Sequence, residues 1–170
     1  MEKNRLKKLA VKIDALPERD TQLAMRAEQI DGLRRAGAAD LHRICAELVG
    51  SINSLLSSVV VELSPDSYST DSFHDSQPNL LQINLRGRLL MIEFRATETL
   101  ISSEEFRAPY IMEGAVRSLN QDYLDREAIE EQFLYYCLDR KNVWRFFDAR
   151  TYRTGLVDQD YLVSLLERLV

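Results

Sequence analysis

The sequence predicts an α+β domain: about three N-terminal helices, then a mostly antiparallel sheet of five or six strands, then a C-terminal helix packed on that sheet. Three observations carry this expectation. Apolar residues recur at helical spacing through residues 2–57; β-branched and aromatic runs then follow one another without long helices between them; and the chain closes on a second helical stripe. With 170 residues, 45% of them hydrophobic and 29% charged, it has the size and mixture of one folded domain.

Leu6, Leu9, Ile13 and Leu16 stand at alternating spacings of three and four, and the same heptad phase continues through Leu23, Ala27 and Ile30. Pro17 interrupts it, because the residue before proline is biased away from helix. A first helix therefore ends near Leu16 and a second starts with Pro17 in its first turn or Asp20 as its cap. Gly37 is expected to separate a third helix, capped by Asp40 and carrying Leu41, Ile44, Leu48, Ile52 and Leu55 as one apolar stripe. Residues 1–36 thus read as a helical arm and 37–170 as the α+β core.

Val59 to Leu63 is short and β-branched, the expected first strand. Ser64 to Asn79 is a loop rich in Ser and Asp, long for a connection inside a compact domain. From Leu80 to Ala96 apolar residues alternate strictly on either side of Gly87-Arg88, which predicts a hairpin pairing Leu85 with Leu90, Ile83 with Ile92 and Leu81 with Phe94 on the core face. Gln82, Asn84, Met91, Glu93 and Arg95 fall on the other face. Phe106 to Val116 reads as a further strand, which Pro109 demotes to an edge or a bulge. Asp125 caps a short expected helix running to about Glu131. Gln132 to Asp148 reads as an aromatic hairpin centred on Arg140-Lys141, pairing Leu138 with Val143 and Leu134 with Phe147. The closing helix begins at about Asp158 and buries Leu162, Leu165, Leu166 and Leu169.

Composition and motifs argue against several functional classes. A net charge of -5 repels phosphate backbones and anionic headgroups, although Lys3, Arg5, Lys7, Lys8 and Lys12 make the first dozen residues locally basic. No apolar run approaches the roughly 20 residues that span a bilayer, and the N-terminus lacks the pattern of a signal peptide. A soluble cytoplasmic protein is expected, and the two cysteines, Cys45 and Cys137, suit a reducing compartment. The six glycines match neither phosphate-binding spacing nor the nucleophile elbow. His42 and Cys45 alone do not make a metal site, and Asp66, Asp71 and Asp75 do not follow the calcium-loop pattern. Neither cofactor nor metal is expected.

The candidate catalytic residues are few. His42 sits beside a helical apolar stripe, and His74 lies among Asp71, Asp75 and serines in the long loop. Glu93 and Arg95 share one face of a strand, and Glu93-Phe94-Arg95 is similar to the D/E-x-K element of the PD-(D/E)xK nucleases, with Asp66 the nearest upstream acid. That resemblance implies metal-dependent cleavage of nucleic acid through Glu93. Arginine replaces the lysine of that element, and a guanidinium that is always charged cannot serve as a base.

The reading these residues favour is a non-enzymatic interaction or assembly module, an accessory subunit of a larger cytoplasmic system. Leu6, Leu9, Ile13 and Leu16 are its contact residues, and the expected partner is a protein, in the first instance a second copy. A metal-dependent nuclease or other hydrolase using Glu93 is the alternative. A nucleic-acid-binding module using the basic N-terminus is the second.

Overall fold

The computed structural model describes residues 2–103, 108–119 and 130–170. The chain divides into two compact units, Met1–Leu33 and Arg34–Val170, described in turn.

The first unit is helical. It holds α1 (Glu2–Asp14) and the opening turns of α2 (Leu16–Leu55). Proline has no N–H to give, so one helical bond is missing at Pro17. The break is confined to Ala15, because Ala15 N still donates to Val11 O at 3.2 Å and Arg19 N to Ala15 O at 3.1 Å.

The second unit is built on seven strands in chain order: β1 (Val61–Ser64), β2 (Asn79–Leu85), β3 (Arg88–Ser103), β4 (Ala108–Leu119), β5 (Glu130–Cys137), β6 (Val143–Asp148) and β7 (Arg153–Leu156). Each pairs antiparallel with the next. The last part of α2 and α3 (Gln159–Glu167) pack on the same face of this sheet. Trp144 Nε1 on β6 donates to Gly37 O on α2 at 2.8 Å, and Tyr161 Oη on α3 donates to Gln132 Oε1 on β5 at 2.8 Å. Between these layers lie Leu41, Cys45, Ile83, Ile92, Leu134 and Leu162, all fully buried.

Several expectations are corrected. The strand count is seven among the described residues, since β7 adds to the five or six foreseen. Gly37 does not end a helix: α2 runs unbroken through it. Its role is close approach, because a Cβ there would stand 2.6 Å from the Tyr136 ring. Asp40 pairs with Arg43 at 2.6 Å instead of starting a new helix.

The first hairpin keeps its predicted core face but not its partners. Ile83 pairs with Leu90, Leu81 with Ile92 and Asn79 with Phe94, because the turn is Arg86-Gly87, one residue earlier than expected. Both turn residues have positive φ, 52° and 92°, as a tight primed turn requires, and Asn84 Oδ1 accepts from Gly87 N at 2.7 Å. Moving the turn by one shifts every pair by two, so the faces are unchanged and Leu85 alone loses its place in the core.

In the second hairpin, Cys137 pairs with Val143, Tyr136 with Trp144 and Leu134 with Phe146. That is one position off the predicted register, because the connection spans residues 138–142. The strand containing Pro109 is not an edge: β4 lies between β3 and β5, with irregular register beside the proline at Tyr110/Met112. Phe106 and most of the helix expected from Asp125 fall outside the described residues, and Glu130 and Glu131 open β5. The C-terminal helix is as expected, with Asp158 Oδ1 accepting from Tyr161 N at 2.9 Å.

Candidate functional site

Two surfaces hold the residues singled out in the sequence. The first is α1. Leu6 is 64% exposed, Leu9 53%, Ile13 54% and Leu16 44%. At 100° per residue they form one stripe, bordered by Arg5 and Lys12 on one edge and by Lys3 on the other, with Lys7 on the opposite face. Monomeric proteins generally avoid so long a row of uncovered aliphatic side chains.

The second surface is the sheet face opposite α2 and α3. Alternation along β3, β4 and β5 puts Glu93, Arg95, Glu113, Ala115, Arg117, Glu131, Phe133 and Tyr135 there. The register then sets Glu93 beside Ala115 and Ala115 beside Phe133 in one row across the strands. Arg95, Glu113 and Tyr135 form the neighbouring row. Ala115 is the small residue among large ones, and a groove of about 440 Å3 opens above it.

Cross-strand pairing arranges the charges. Arg117 donates through Nε to Glu131 Oε2, and its Nη1 lies 3.4 Å from Glu93 Oε2. Arg95 Nε stands 3.5 Å from Glu113 Oε1. The hydrogen bond from Arg117 to Glu131 and the charges of Glu131 and Glu93 outweigh the effect of burial and hold the guanidinium above its ordinary pKa. The sequence had pointed to Glu93 and Arg95 only. Their partners Glu113, Arg117 and Glu131 come from two further strands whose registers no local pattern reveals.

A second depression, of about 550 Å3, adjoins the groove and shares Arg95 and Glu113 with it. It adds the carboxylates of Asp75 and Glu98.

The remaining candidates lie elsewhere. Asp66 is exposed in the loop after β1 and does not line the groove with Glu93. His42 is buried, its Nε2 2.8 Å from Pro65 O and its ring stacked on Tyr68. Asn79 holds the backbone of His74 through Oδ1 and Nδ2, so the long loop is tied to β2. Arg35 on α2 holds it as well, through Thr70 O at 2.9 Å and Asp75 at 3.3 Å. Burial pushes the Cys45 thiol up to about 12 and the Cys137 thiol up to about 11, which removes their nucleophilic form at neutral pH. Among the described residues no three His, Cys, Asp or Glu side chains are grouped to hold a metal ion, and no helix is long and apolar enough to cross a membrane.

Comparison with protein-family models, with curated proteins and with solved structures finds no match, so function must be read from these two surfaces.

Proposed function

We propose that the protein is a non-enzymatic assembly module that associates with a second copy of itself through α1, as an accessory subunit of a larger cytoplasmic system. The observation that carries this reading is the exposed row Leu6, Leu9, Ile13 and Leu16. Covering such a row removes apolar surface from water at roughly 25 cal/mol per Å2, the main source of association energy. A second copy is the simplest cover, since closed homodimers are the commonest soluble assembly. The ion-paired state of Glu93 supports the same reading over hydrolysis, because a carboxylate shared with Arg117 is occupied by a cation of the chain itself.

Light scattering on the full chain and on residues 17–170 tests it. The expected result is a dimer for the first and a folded monomer for the second. A full chain that is monomeric refutes self-association, and a truncated chain that is still dimeric moves the contact off α1.

A further inference from the structure

We infer that the surface receiving α1 is the acidic depression across β3, β4 and β5 of the second copy, so that each copy places its basic arm in the other's sheet face. This rests on the self-assembly reading above and adds what the arm binds.

Charge argues first against the arm binding its own equivalent. α1 carries five of the chain's 22 bases but only two of its 27 acids. Two arms side by side in parallel set those cations against each other and bring Asp20 opposite Asp20, since Asp20 occupies the heptad seam. In an antiparallel pairing on that seam Lys12 faces Arg26 and Arg19 faces Arg19. Like charges brought together at an interface oppose association in either direction.

The depression has the complementary character. Its two joined parts are lined by the carboxylates of Asp75, Glu93, Glu98, Glu113 and Glu131 and by the guanidiniums of Arg95 and Arg117. With Asp75 assigned to Arg35, the pairs of Arg117 with Glu93 and Glu131 and of Arg95 with Glu113, together with Glu98, leave the depression a net excess of two negative charges. Ala115 and Phe133 lie in the middle row of the groove, and the charged groups rim it. Placed over that row, Leu6 and Leu9 turn Arg5 and Lys12 toward one rim and Lys3 toward the other. Each copy has one arm and one depression, so a twofold dimer would make both contacts reciprocally.

Mixing two defective chains tests the arrangement. Leu9→Asp spoils the arm and leaves the depression intact; Glu113→Lys with Glu131→Lys reverses the depression and leaves the arm intact. Each variant alone is expected to dissociate about tenfold or more readily than wild type. Mixed in equal amounts they should form a heterodimer by native mass spectrometry, because one good arm then meets one good depression. Glu98→Lys with Glu113→Lys, which leaves the Arg117 pairs untouched, should repeat the loss and the rescue, so that misfolding of the first variant does not decide the result. A dimeric wild type whose depression variants dimerise undiminished, or folded variants that fail to rescue one another, overturns the proposal. A monomeric wild type removes the self-assembly reading and this inference with it.

Discussion

The indole Nε1 of Trp144 donates to the carbonyl oxygen of Gly37 at 2.8 Å, joining β6 to the middle of α2. At the same place the Tyr136 ring lies so near Gly37 that an added Cβ would be 2.6 Å away. Trp144 and Tyr136 are cross-strand neighbours, so one aromatic pair sets how closely helix and sheet approach.

Gly37→Ala is therefore expected to destabilise the fold by about 1–3 kcal/mol through overpacking. Glycine-to-alanine changes in helix interiors ordinarily stabilise by about 1 kcal/mol, and Gly50→Ala, which meets nothing within 4 Å, should do so here. Urea denaturation midpoints moving in opposite directions for the two variants are the expected outcome; a gain for both would show that the Tyr136 contact yields without cost.

Ile83→Asn places an amide at a fully buried position and removes apolar contact, at an expected cost of about 2–4 kcal/mol. An unchanged midpoint would be incompatible with the core face assigned to the first hairpin.

Asp148 gives the fold an acid-sensitive element. Burial alone would raise its pKa, but the Arg150 N–H, the Thr151 hydroxyl and the Arg150 charge outweigh it, and the net shift is below the ordinary value of 3.8. A lowered folded-state pKa contributes stability above the unfolded-state value and loses it as pH falls through the folded-state one. Wild type should thus lose stability relative to Asp148→Asn below about pH 3.8, and titrating both midpoints from neutral to acid checks it. Parallel curves for the two chains would remove Asp148 as the source.

Glu93→Ala breaks an ion pair between half-exposed groups, which is worth at most about 1 kcal/mol after solvent screening. Stability should barely change. Wild-type protein incubated with DNA or RNA and magnesium or manganese should leave both intact. Cleavage that disappears in Glu93→Ala would establish the nuclease alternative instead.

How much of this was legible in the sequence depended on the range of the interaction concerned. The core faces of Leu81, Ile83, Leu90 and Ile92 followed from a period of two, which survives an error of register by two. The turn itself did not, because it needs Arg86 at positive φ and the Gly87 N–H held by the Asn84 carboxamide oxygen, a contact that residue preferences do not report. β7 went unseen: Arg153–Leu156 is short, and Gly155 looks like a breaker. It is needed because a Cβ there would stand 2.9 Å from the Phe146 ring, which stacks on Tyr161. Gly37 was misread for the same reason, since a glycine demanded by tertiary approach looks the same in sequence as one that ends a helix. Of the candidate surfaces, the α1 stripe was visible as a heptad pattern. The Glu93, Arg117 and Glu131 ladder was not, because it needs the relative register of three strands.

Self-association through α1 is tested most directly by the molar mass of the chain in solution, measured across a wide concentration range by sedimentation equilibrium. Wild type is predicted to reach twice the mass of one chain, and Leu9→Asp with Ile13→Asp to remain at the mass of one chain with an unchanged circular dichroism spectrum. A wild-type mass equal to one chain at every concentration, or a double variant that dimerises as wild type does, contradicts it.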